Sequence, residues 1–181
     1  MELKLSVNGY DVLMGYDDYA KLIRQVLDCE ENKNFFNEVS KSESYQIRLA
    51  VAGKSNLHDE TINRLLNDQS QEVVAEISQG LKVNKFLTSN IIDDMFLTLN
   101  FSALENIIRV FDTIEIETVK SVLFDRIMEM KDPILRHILA QSTTNKSFLN
   151  LLSRDCEPSV SYEAKSQITK LRYEKNLTEK Y

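Results

Sequence analysis

Apolar residues open the chain at every second position. In "LKLSVNGYDVLM", Leu3, Leu5 and Val7 alternate with polar neighbours, and Tyr10, Val12 and Met14 do so again beyond Asn8-Gly9. Asn and Gly both tolerate positive φ, so the pattern predicts a small β-hairpin over residues 1–15. From Tyr16 the period becomes helical. "DDYAKLIRQVLD" sets Tyr19, Leu22, Ile23 and Val26 on one face, with Asp17 or Asp18 as N-cap, and "NKNFFNEVS" adds Phe35, Phe36 and Val39. "SYQIRLAVAG" buries Ile47, Ala50 and Val51 and places Gly53 for a left-handed stop. "HDETINRLLND" follows with Asp59 as cap and Ile62, Leu65 and Leu66 inside. "SQEVVAEISQG" then offers Val73, Val74 and Ile77, with Gly80 as its stop.

The stripes continue through the second half. "SNIIDDMFLTLN" supplies Ile91, Ile92, Met95, Phe96 and Leu99. "SALENIIRVFD" supplies Leu104, Ile107, Ile108 and Phe111, with Ser102 and Glu105 at capping-box spacing. "EIETVKSVLFDRIMEM" carries Ile116, Val119, Leu123, Ile127 and Met130. Asp132-Pro133 breaks the chain and starts another helix. Pro158 opens a last one, with Val160, Ala164, Ile168 and Leu171 facing in. The pattern predicts about ten or eleven short helices. Domain limits follow as a hairpin at 1–15, a helical domain over 16–175 and a tail at 176–181.

Two stretches resemble each other. "IRLAVAGKSNLHDETINRLLND" and "LRHILAQSTTNKSFLNLLSRD" share an apolar-Arg step, an Ala four residues after the Arg, a polar break, a Leu-Leu pair and an Asp. Aligned on that step, Glu43, Ile47, Arg48, Val51 and Ala52 match Asp132, Leu135, Arg136, Leu139 and Ala140. Weaker copies centre on Val73 and Val160, giving a period of about 25 residues where copies are adjacent. A short helix pair cannot bury its stripe alone, and a stacked neighbour covers it. In that arrangement Arg48 and Arg136 are expected to tie successive layers together through Asp68 and Asp155.

The acid, apolar-Arg, apolar-Ala order resembles the signature of HEAT-type repeats and is most similar to their short relatives, the leucine-rich repeat variant units. The resemblance covers mainly residues 43–80 and 132–170; over 81–131 the Arg-Ala step is missing apart from Val119-Lys120. It implies an all-α, armadillo-like right-handed α-α superhelix of about five helical pairs. Members of the leucine-rich repeat variant family can carry an iron–sulfur cluster on an N-terminal cysteine cluster. Only Cys29 lies in that region here, so the cluster is expected to be absent.

Composition agrees with helices. Four Gly and two Pro in 181 residues leave too few turn formers for an all-β fold, and 43% hydrophobic residues suffice for a core. A net charge of −6 repels nucleic acid unless bases are segregated on one face. The C-terminal bases Lys165, Lys170, Arg172, Lys175 and Lys180 alternate with acids, as on a solvated helix face. Two lone cysteines, no long apolar run and no charged-then-apolar leader predict a cytoplasmic protein with no membrane contact.

Candidate chemistry is sparse. His58 and His137 are the only histidines, and no HxxxH or HxxE spacing surrounds them. Both are expected at the surface. Cys29 and Cys156 have acidic neighbours, which make poor surroundings for a nucleophile. Asp17-Asp18 and Asp93-Asp94 are adjacent on helices and point in different directions. No catalytic, metal or cofactor residue is therefore expected. The leading expectation is a non-enzymatic scaffold whose concave face holds a protein or peptide, basic or amphipathic in character. A HEAT-like nucleic-acid-binding or DNA-repair protein and a homo-oligomeric structural module remain the alternatives.

Overall fold

The computed structural model describes residues 3–178. Asn8 and Gly9 take φ of 52° and 82°, which turns the chain tightly between β1 (Leu3–Val7) and β2 (Tyr10–Met14). The strands pair antiparallel with Leu5 opposite Val12. Positive φ at both turn residues matches the right-handed twist of paired strands. Beyond the hairpin the described chain is helical. It runs through α1 (Tyr16–Gln25), α2 (Lys33–Val39), α3 (Tyr45–Ala52), α4 (Asp59–Leu66) and α5 (Gln71–Ile77). There follow α6 (Ser89–Leu97), α7 (Phe101–Arg109), α8 (Glu117–Glu129), α9 (Ile134–Ser142), α10 (Lys146–Leu152) and α11 (Pro158–Thr178).

The helical stretch expected as one domain divides between Phe86 and Leu87 into two compact units. The helices of each unit bury their stripes on one another. In the first unit α3 lies between α1 and α5, and α4 packs on α5. Ile47, Ala50, Val51 and Ala52 of α3 are buried, as are Ile23 of α1, Leu65 and Leu66 of α4, and Val73 and Ile77 of α5. In the second unit α9 lies between α7 and α11, and α10 packs on α11. Leu135, Ile138, Leu139 and Ala140 of α9 repeat the role of α3. The order α1, α3, α4, α5 thus returns as α7, α9, α10, α11. Within the second unit α6 additionally packs on α7 and α8.

Each module closes its own loops with one carboxylate. Asp28, after α1, accepts the backbone N–H groups of Ser55 and Asn56 at 2.7 and 2.8 Å, just beyond α3. The side-chain amide of Asn56 donates back to the Asp28 carbonyl at 2.9 Å. Asp112, after α7, accepts the Thr143 and Thr144 hydroxyls at 2.6 and 2.7 Å and the Thr144 N–H, just beyond α9. A charged acceptor satisfies several donors of a partly exposed loop at once and fixes its path.

Several local expectations change. Gly53 ends α3 with φ −75°, not in the left-handed region. A Cβ there would stand 3.1 Å from Oε1 at the end of the flexible Glu76 side chain, with no backbone atom nearby. Gly80 does not stop α5; the helix ends at Ile77, and Gly80 leads into a 3₁₀ turn, Leu81–Lys85. His58, not Asp59, flanks the start of α4. Asn100 caps α7 by accepting the Ala103 N–H at 3.3 Å, which leaves Ser102 inside the helix. α11 continues through residues 176–178, the first part of the expected tail; 179–181 lie outside the described residues.

Burial raises the Asp28 carboxyl, but the N–H groups of Ser55 and Asn56, the Asn56 side chain and nearby Lys54 outweigh it and hold the group below the ordinary carboxylate range. A lowered folded-state pKa contributes stability that is present above the unfolded value and lost as pH falls through the folded one. Urea unfolding of wild type and Asp28→Asn is therefore expected to show wild type more stable at neutral pH, with the gap closing in the acid range below about pH 4.

Candidate functional site

Arg48 rises from the first turn of α3, one residue after buried Ile47. Its Nε and Nη2 donate to Asp68 Oδ2 and Oδ1 at 2.6 and 2.9 Å. Its Nη1 donates to the carbonyls of Ser42 and Glu43, both at 2.8 Å. Asp68 also accepts the Ser70 N–H at 2.8 Å, just before α5 begins. One guanidinium thus joins the chain entering α3 to the junction of α4 and α5.

The second module repeats the arrangement. Arg136 donates through Nε to Asp155 Oδ2 at 2.8 Å and through Nη2 to Oδ1 at 3.4 Å. Its Nη1 reaches the carbonyls of Met130 and Asp132. Asp155 accepts the Glu157 N–H at 2.9 Å, ahead of α11. The four residues named from sequence are brought together as two pairs, Arg48 with Asp68 and Arg136 with Asp155. Each guanidinium already makes four hydrogen bonds within the chain, so neither stands open to a ligand. The hydrogen bond that Arg48 donates to Asp68 is the main cause that raises its guanidinium, against the opposing effect of burial.

Little reactive chemistry converges elsewhere. His58 Nε2 lies 3.0 Å from Asn34 Oδ1. His137 is half-buried rather than on an open polar face; Gln141 meets its Nε2 at 3.1 Å, and its Nδ1 is buried without a partner. Cys29 accepts from the Asn32 amide at 3.4 Å, and Cys156 is exposed beside Asp155. Among the described residues, no three His, Cys, Asp or Glu side chains form a group that could hold a metal ion. Nor is any described helix long and apolar enough to cross a membrane. A cavity of about 360 Å³ lies beside Gly53, walled by Ala52, Leu57, Ile62, Ile77 and Val83. Its Glu76 accepts from Gln79, and its Lys54 donates to the carbonyls of Arg24 and Val26.

The corner between α6 and α7 is different. α6 ends in a Schellman motif: Asn100 N–H bonds the Met95 carbonyl at 2.9 Å and Leu99 N–H the Phe96 carbonyl at 3.2 Å. That motif needs a left-handed residue, normally glycine, and here Leu99 fills it with φ 52°. A leucine in this region is strained by about 1–2 kcal/mol. The outcome is exposure. Leu99 stands 60% exposed, Leu97 80% and Phe101 41%, all within one short turn of chain. Beside them a cavity of about 370 Å³ is lined by Phe96, Leu97 and Met130 together with Asp93, Arg126 and Glu129. Arg126 spans the rim, donating to Asp93 at 2.8 Å and Glu129 at 3.2 Å. Apolar side chains held out by a strained turn and framed by charge form a surface that can take an apolar anchor from a partner.

Leu99 was expected on the inward stripe of its helix. Continuing the helical period to Leu99 overlooks that Asn100 already caps the next helix, which forces the turn at 98–99. The Asn before "FSALEN" is the signal that could have shown it.

Comparison with protein-family models, with curated proteins and with solved structures finds no match to this chain.

Arg136→Ala leaves Asp155 buried without its partner, so chemical denaturation is expected to show a loss of about 3–5 kcal/mol. Leu99→Gly relieves the strained turn and is expected to raise stability by about 1 kcal/mol in the same assay. A loss of stability on that substitution would mean that Leu99 is held by packing rather than displayed.

Proposed function

We propose that this protein is a non-enzymatic binding scaffold in which the helical modules stack as an α-α superhelix and the α6–α7 corner holds a basic, amphipathic segment of another polypeptide. The observation that carries this reading is Leu99: a leucine stands where glycine would be more stable, and its side chain is turned to solvent. Strain of that kind persists where the rest of the structure imposes it, and it concentrates at sites of recognition. Repetition of one module through Arg48–Asp68 and Arg136–Asp155 supports the solenoid part of the reading.

Charge sets the character of the segment. From Asp93 to Glu129 the chain has eight acidic residues, namely Asp93, Asp94, Glu105, Asp112, Glu115, Glu117, Asp125 and Glu129, against Arg109, Lys120 and Arg126. A partner with bases flanking an apolar stripe would place the stripe on Leu97 and Leu99 and the bases near Asp93 and Glu129. The cytoplasm is the compartment proposed for this work, on the strength of two unpaired thiols.

A synthetic amphipathic helix of leucine and lysine, labelled for fluorescence anisotropy, tests the corner. Wild type is expected to bind it more weakly as salt rises, and Leu97→Asp is expected to weaken binding by about tenfold or more. Equal binding by Leu97→Asp and wild type would remove the corner as the site.

A further inference from the structure

α11 is twenty-one residues long, whereas α5, its counterpart in the first module, has seven. The first turns of α11 do what α5 does: Val160 and Ala164 are buried as Val73 and Ile77 are. Residues 165–178 have no counterpart. At 1.5 Å per residue they extend the helix by about 21 Å. The helices beneath it are short, nine residues in α9 and seven in α10. Ile168 and Leu171 continue the line of Val160 and Ala164 half-buried, while Lys165, Thr169, Lys170 and Tyr173 on the other side of the helix are open.

The extension is also the basic part of the chain. Between 165 and 178 it has Lys165, Lys170, Arg172 and Lys175 against Glu174 alone, in a protein of net charge −6. Tyr162 and Tyr173 add exposed rings at 74% and 69% on a face shared with Lys165, Thr169 and Lys170. Its charge and its exposed rings match the basic segment with an apolar anchor that the α6–α7 corner was argued to receive. The corner is uncovered in the single chain, since Leu97 and Leu99 stand open with α11 in place. α11 is continuous and anchored through Val160 and Ala164.

We propose that the segment held by the α6–α7 corner is the far half of α11 from a second copy of this chain. The inference rests on the reading of the corner given above and names its partner. The exposed ring of Tyr173 would lie on Leu97 and Leu99, with Lys170, on the same open face, reaching the acidic rim of Asp93 and Glu129. Because the two surfaces differ, the contact is heterologous: each copy gives one helix and offers one corner.

Sedimentation velocity on the full chain over a concentration series is the test. Wild type is expected to gain mass with concentration and to lose that gain as salt rises. Leu97→Asp alone and Lys170→Glu with Arg172→Glu are each expected to remain monomeric; all three positions are exposed, and thermal melts check that the fold is kept. Mixing the two variants restores one good corner and one good helix, so dimers should return. A strict monomer in wild type overturns the proposal; if the leucine–lysine peptide still binds such a monomer at the corner, the scaffold reading survives it. Undiminished self-association after Lys170→Glu/Arg172→Glu also overturns it, as does duplex DNA binding in 0.15 M salt that this substitution abolishes, which would make the helix a nucleic-acid surface.

Discussion

Each module depends on a single arginine with nowhere to go but inward. Arg48 and Arg136 follow buried residues at the start of α3 and α9, so their guanidinium groups are drawn under the chain that enters the helix. A buried guanidinium must have its donors met or it unfolds what surrounds it. Asp68 and Asp155 meet two donors each, and two carbonyls of the entering chain take two more. The planar fork of arginine fits both partners at once, which lysine cannot do. The carboxylate then accepts an N–H ahead of the next helix. Three pieces of chain that would otherwise hang on apolar contact alone are placed relative to one another.

With those pieces placed, the apolar stripes decide the rest. α3 and α9 can be short because they are covered on two sides, by α1 and α5 in one module and by α7 and α11 in the other. Asp28 and Asp112 close the loops that follow them. The polar contacts specify which loop lies where, and the buried Ile, Leu and Val side chains supply most of the drive to fold. What is left outside this scheme is what the modules do not need: the open leucines after α6 and the long reach of α11.

Much of the scheme could be read from residue order. The helical stripes, the Asn-Gly hairpin and the recurrence of Arg-Ala with a later Asp are local patterns, and local patterns follow from geometry within one or two turns. The pairs Arg48–Asp68 and Arg136–Asp155 were approachable because nearly the same spacing, 20 and 19 residues, occurs twice. Asp28 and Asp112 were not, since their partners lie about thirty residues away and nothing near either aspartate marks it. The left-handed stop expected at Gly53 does not form, because α3 ends there with φ −75°, a conformation open to any residue. Leu99 was misread because a side chain suited to the core was extrapolated one turn too far, past the cap that ends its helix. The division at Phe86 depends on which helices share a core, and periodicity along one helix carries no information about that.

A double-mutant cycle on each arginine–aspartate pair bears most directly on the claim that one polar junction organises both modules. The account predicts coupling of about 2–3 kcal/mol for Arg48 with Asp68, and a similar value for Arg136 with Asp155. Coupling below about 0.5 kcal/mol in either pair would contradict it, because that module would then be held by its apolar contacts alone.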